Sequence, residues 1–148
     1  RLPVPGGLAY AVLHPHVEVQ TGAARALLGD PVYLRDAVRQ WGNLGALVAS
    51  LFNGDQALLS RSLEDVIAEP KRASLVPGFH AVKAAALAAG ALGCSLSGSG
   101  PSVFALASSL EVARHAGEAM QHAFNAESGV GADLWVSLVG RQGARVIS

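Results

Sequence analysis

Apolar residues follow two different periods along this chain, and the switches between them mark its elements. Leu8 to Leu13 is an apolar run of strand length, closed by His14-Pro15-His16. Thr21 can cap a short helix through Ala23, Ala24, Arg25, Ala26, Leu27 and Leu28, which Gly29 ends. Asp30 before Pro31 reads as a helix start, a cap followed by a first-turn proline. From there Leu34, Val38, Trp41, Leu44, Val48 and Leu51 step by three or four, which predicts a helix with that face buried to about Phe52. Asn53-Gly54 stops it, and Asp55 can cap a further helix with Leu58, Leu59 and Leu63 inward. Pro77 can open another, with Phe79, Val82, Ala86 and Ala89 on one face and Gly90 as its stop.

The period then changes to two. Leu92, Cys94 and Leu96 alternate with Gly93, Ser95 and Ser97, the pattern of a half-buried strand. Ser97-Gly98-Ser99-Gly100-Pro101-Ser102 follows as a loop, and Val103 to Leu106 as a second apolar run. Leu110 to Phe124 returns to helical spacing through Val112, Ala116, Ala119 and Ala123, with Met120 and Phe124 beside them. Ala132 to Val139 and Ala144 to Ile147 read as strands separated by Gly140-Arg141-Gln142-Gly143. Strands near both termini and in the middle, with helices between, predict an α+β two-layer sandwich. Its expected form is one antiparallel sheet of about four strands with helices on one face, in a ferredoxin-like order.

Composition narrows the class of partner. The chain has 148 residues, enough for one domain, and its 11 basic and 11 acidic side chains cancel. A nucleic-acid footprint needs a clustered basic excess, which is absent. The most apolar stretch, Ala81 to Leu92, is interrupted by Lys83 and Gly90 and falls short of the roughly 20 residues of a membrane span. The single cysteine, Cys94, cannot close an internal disulfide and sits in the alternating strand as a small buried hydrophobe. A cytoplasmic location is the expectation that follows. Arg1-Leu2-Pro3-Val4-Pro5-Gly6-Gly7 reads as a connector from an upstream domain, with the domain proper over 8–148.

The Ser/Gly loop carries the chemistry. Two glycines in three positions permit backbone angles and approaches that a Cβ forbids, and such a loop can turn N–H groups and hydroxyls to an anion. Leu96-Ser97-Gly98-Ser99-Gly100-Pro101-Ser102 resembles the last signature of the small-molecule kinases that include galactokinase, homoserine kinase, mevalonate kinase and phosphomevalonate kinase. Two more segments are similar to homoserine kinases in particular. One is His14-Pro15-His16 followed by Thr21-Gly22-Ala23-Ala24-Arg25; the other is Asp65-Val66-Ile67-Ala68-Glu69-Pro70-Lys71-Arg72 with Leu75-Val76-Pro77-Gly78-Phe79. All three stand in that family's order, and the resemblance runs from about Leu8 to the end of the chain, as a C-terminal domain.

The resemblance implies a substrate side of a kinase site. Arg25 and Arg72 stand where the family places substrate-binding arginines, 47 residues apart (72 minus 25). A guanidinium fork suits the carboxylate of homoserine. Thr21 matches a position near the substrate, and Gly98, Ser99 and Gly100 are implied to face the substrate and the transferred phosphoryl group. Glu69, beside Pro70, reads as orienting Arg72 or capping a turn; Lys71, His14 and His16 read as solvated or structural. No residue here is implied to be catalytic or to bind metal. The family's ATP loop, and with it ATP and Mg2+, belongs to an N-terminal domain, so the 148 residues alone are expected to be inactive. Homoserine and ATP are the implied partners of the intact enzyme, and an exposed interdomain surface leaves room for a homodimer. The competing readings are a stand-alone amino-acid-binding regulatory module and a sister kinase with another alcohol substrate.

Overall fold

The computed structural model describes residues 2–29, 31–140 and 146. Its elements in chain order are β1 (Ala9–Pro15), α1 (Thr21–Ala26), α2 (Leu34–Asn53), α3 (Gln56–Ser62), α4 (Glu69–Arg72), α5 (Phe79–Ala88), β2 (Gly93–Leu96), β3 (Val103–Ala107), α6 (Leu110–Glu127) and β4 (Ala132–Leu138). The four strands form one sheet in the order β2-β3-β1-β4, every neighbouring pair antiparallel. Helices α5 and α6 pack on one face of it. The fold is the expected α+β sandwich with a ferredoxin-like strand order, into which α1 to α4 are added between β1 and α5.

Alternation along the strands decides which side is core. Ala9, Ala11, Leu13 and Pro15 of β1 are buried, as are Val103, Ala105 and Ala107 of β3. These small side chains let α6 lie close on the sheet. Its inward face is Ala113, Ala116, Gly117, Met120 and Phe124, turned from the expected line through Val112, Ala119 and Ala123. Close approach at Gly117 accounts for the turn. A Cβ there would stand 2.9 Å from Leu134 Cδ1 and 3.1 Å from the Ala11 Cβ. The main core joins this face to Phe79, Val82 and Ala86 of α5 and to Cys94.

Capping was legible in places and misleading in others. Asp55 caps α3, its carboxylate accepting the Leu58 N–H at 2.9 Å. Thr21, by contrast, lies inside α1, whose N-cap is Gln20 and which has no side-chain cap. Helix α2 starts at Leu34 and not at Pro31, with Tyr33 at its N-cap position and no side-chain cap. Pro31, Val32 and Tyr33 instead run irregularly beside Val66, Ile67 and Lys71, with which they line a small cavity. Asp30 and the strand expected over 144–147 lie outside the described residues, Val146 excepted, which is exposed and in no strand.

The larger correction concerns which face of α2 is inside. Leu34, Val38, Trp41, Leu44 and Phe52 are all exposed, Trp41 at 65%. Polar side chains hold the helix to the domain. The Gln40 amide oxygen accepts from the Val66 N–H, Asn43 donates to the Glu64 carbonyl, and Arg39 pairs with the Glu64 carboxylate. Helical periodicity shows that an apolar stripe exists; it does not say what covers it. Here the domain leaves the stripe open from Leu34 to Leu44, whereas Val48 and Leu51 further along it are half-buried.

Candidate functional site

The strand–loop–strand unit forms as the alternation predicts. β2 and β3 pair from Gly93 opposite Leu106 to Leu96 opposite Val103. The Ser97 N–H bonds to the Ser102 carbonyl at 2.8 Å, and Gly100 N–H to the Ser97 carbonyl at 3.1 Å, closing a turn over Gly98 and Ser99. Gly98 and Gly100 have φ of +63° and +84°, the left-handed region that glycine enters without a Cβ penalty. Among the described residues the N–H groups of Gly98 and Ser99 have no hydrogen-bond partner. An anion at this turn could receive both.

Arg72 ties the turn to the two other segments. At the end of α4 its Nε donates to the Ala24 carbonyl of α1 at 3.1 Å, and one terminal nitrogen donates to the Gly98 carbonyl at 3.2 Å. A guanidinium carries five N–H donors, so with these two used three stay free for a ligand. Lys71, expected to be solvated, donates its ammonium to the Leu28 carbonyl and adds a second link between α4 and the end of α1.

The remaining expected residues differ in how far they join this cluster. Thr21 and Arg25 are four apart on α1, hence on one face, and both are exposed. Arg25 has no hydrogen-bond or ion-pair partner among the described residues. It lines an open cavity of about 380 Å3 with Leu28, Gly29, Val32 and Ile67. Gly98 and Arg72 are in contact, while Ser99 and Gly100 stand in the same turn. A larger cavity, about 610 Å3, is lined by Pro77, His80 and Glu127, and none of the expected site residues borders it.

Four more residues contribute: His14, read from the sequence as solvated or structural, and Asp65, Ser95 and Lys83, for which the sequence indicated no part in the site. His14, at the end of β1, bonds through Nδ1 to the Ser102 hydroxyl at 2.8 Å and fixes the far end of the turn. Asp65 accepts the N–H groups of Ile67 and Ala68, both at 2.8 Å, and so shapes the approach to α4. Ser95 and Lys83 both donate to Glu69. His14 and Ser102 are 88 residues apart, and no local pattern signals such a pair.

Cys94, on β2 next to Ser95, is buried in the main core. Burial pushes its thiol up to about 12, with nearby Lys83 opposing and Glu69 adding to the rise. The thiolate is the reactive form, so the folded chain is expected to resist a disulfide-exchange reagent at pH 8, while the unfolded chain reacts fully. Because the folded value lies above the unfolded 9.0, folding favours the protonated thiol. That contribution is complete below pH 9 and is lost as pH rises toward 12. Fast labelling of the native chain at pH 8 would contradict this assignment.

Comparison with known proteins assigns the architecture. The family described as GHMP kinases C terminal matches residues 34–126, from the start of α2 almost to the end of α6. The chain belongs to the GHMP kinase C-terminal family. Within it, the chain is 56% identical to a homoserine kinase of Chlorobium phaeovibrioides over 99% of its own length and 46% of that protein's. A homoserine kinase of Xylella fastidiosa is 40% identical, over 97% of this chain and 44% of its own. The crystal structure of a homoserine kinase from Cytophaga hutchinsonii superposes with a TM-score of 0.93 at 54% identity, covering 99% of this chain and 46% of that one. Leishmania major mevalonate kinase, solved with R-mevalonate, shares the fold at a TM-score of 0.65 and 15% identity. The chain therefore spans about half the length of the curated relatives it matches. Among the described residues no helix is long and apolar enough to cross a membrane.

Proposed function

We propose that this GHMP kinase domain is the C-terminal, substrate-side part of a homoserine kinase, which transfers the γ-phosphoryl group of ATP to the homoserine hydroxyl in threonine biosynthesis. Residues 1–7 are the connector and 8–148 the domain. The observation that carries the reading is Arg72. It draws α1, α4 and the Gly98 turn together while keeping three N–H donors free, in a chain more than half identical to homoserine kinases. Its fork receives the substrate carboxylate, and the exposed guanidinium of Arg25 adds a second positive charge from α1. Thr21, one turn before Arg25, lies on that same face for a polar contact.

Phosphoryl transfer depends mainly on positioning and on charge stabilisation. In the reaction the substrate hydroxyl oxygen bonds to the γ-phosphorus, the bond to the ADP oxygen breaks, and the hydroxyl proton is lost. Gly98, Ser99 and Gly100 face this event, with the two unpaired N–H groups of the turn offered to phosphoryl oxygens. ATP and Mg2+ fall to the other half of the enzyme.

Homoserine-dependent ADP release tests the proposal, comparing the 148-residue chain with a polypeptide of the relatives' full length. Activity in the longer form alone is the expected result. Silence in both, or a preference for another alcohol, would remove the homoserine assignment. Tight homoserine or threonine binding by the 148 residues alone would favour a regulatory amino-acid-binding module.

A further inference from the structure

Two rungs join α4 to β2 and to the turn that follows it. At the first, Glu69 opens α4 and its Oε2 accepts from the Ser95 hydroxyl at 2.6 Å. Three residues on along both segments, Arg72 closes α4 and donates to the Gly98 carbonyl at 3.2 Å. The other oxygen of Glu69 takes the Lys83 ammonium from α5. All three polar groups of the first rung are largely withdrawn from water: the Glu69 side chain is 12% exposed, that of Lys83 23%, and Ser95 as a residue 6%. A carboxylate placed there without partners would be strongly disfavoured, so its acceptance of both donors is what permits it.

The arrangement matters because α4 is only four residues long. A helix that short has no stability of its own and takes its position from tertiary contacts. Glu69 supplies the contact at its start, Lys71 reaches the Leu28 carbonyl, and Arg72 meets Ala24 and Gly98 at its end. Lys83 stands on α5, which packs against the sheet, so the first rung refers α4 to the rigid part of the domain. The second rung does not, since Gly98 belongs to an exposed turn.

We propose that Glu69 is a positioning residue: held by Ser95 and Lys83, it fixes the register of α4 against β2 and so sets where the Arg72 guanidinium stands. This rests on the reading of Arg72 as the ligand of the substrate carboxylate. Without Glu69, α4 loses its anchor to the core and Arg72 samples positions that miss the substrate. The effect is therefore on homoserine affinity and not on the ATP side.

A double-mutant cycle in the full-length kinase separates the two claims, using Glu69→Ala, Arg72→Ala and the pair. Glu69→Ala is expected to raise the homoserine KM about 10-fold, with kcat and the ATP KM changed less than about threefold, as loss of ground-state positioning requires. On the Arg72→Ala background it should change the homoserine KM little, because the group it positions is gone. Should Glu69→Ala fail to fold, Ser95→Ala and Glu69→Gln enter the same cycle, each removing one part of the rung. A full effect of the Glu69 or Ser95 change on the Arg72→Ala background, or equal loss on kcat and on the ATP KM, overturns the positioning role. An unaltered homoserine KM in Arg72→Ala alone overturns the reading of Arg72 beneath it, whatever Glu69 does.

Discussion

Arg72→Ala in the full-length kinase is expected to lower kcat/KM for homoserine by on the order of 30- to 1000-fold, or about 2–4 kcal/mol. The size follows from what the side chain does. It is partly buried, already oriented by two backbone carbonyls, and has three donors left for a carboxylate. A pre-oriented fork loses little conformational freedom on binding, so most of the charge-assisted bonding appears as affinity. Arg72→Lys should recover little, since a single ammonium cannot reach α1, the turn and the substrate together. Arg25→Ala should also raise the homoserine KM, without loss of stability, because Arg25 is exposed and has no partner among the described residues. Steady-state ADP release over a homoserine titration checks these variants, with thermal unfolding as the control. A homoserine KM unmoved in both alanine variants would sink the clamp.

Phe124→Ala and Trp41→Ala should behave in opposite ways although both are aromatic residues at helical spacing. Phe124 is fully buried in the main core, in one cluster with Phe79 and Met120. Its removal leaves a cavity that neighbouring α5, α6 and sheet cannot close, and the expected loss is about 3–5 kcal/mol. That is a large fraction of the roughly 5–15 kcal/mol that holds a domain folded. Trp41 is 65% exposed on α2, so Trp41→Ala should change stability by about 0.5 kcal/mol or less. Denaturant unfolding of the 148-residue chain reads both. A large loss at Trp41 would mean that the α2 stripe is covered in solution, and a small one at Phe124 would displace the assigned core.

Much of this contrast was invisible in the pattern. The stripe of Leu34, Val38, Trp41 and Leu44 is as regular as that of α6, yet the first faces out and the second in. Period reports the geometry of one helix, whereas burial depends on which other element arrives. For α2 the arriving groups are Glu64 and Val66, met by Arg39, Gln40 and Asn43 from the polar side. The cap at Asp55 was readable because it involves a bond across three residues. The start of α2 was not, since Pro31 to Tyr33 lie along Val66 and Ile67, a contact no local rule encodes.

By itself the sequence determined the four strands of the described sheet, the hairpin across Ser97 to Ser102, the α+β class and the three segments that resemble homoserine kinases. Each rests on short-range regularities: alternation, glycine and proline punctuation, and motif order. Only the tertiary structure decided that Arg72 is the residue at which α1 and the Gly98 turn meet. It alone assigned His14 to hold Ser102, and Glu69 to be shared by Ser95 and Lys83. These bonds close over 14 to 88 residues of chain. A hydrogen bond at such separation is set by where the sheet and helices come to rest, and no neighbour in sequence carries that information.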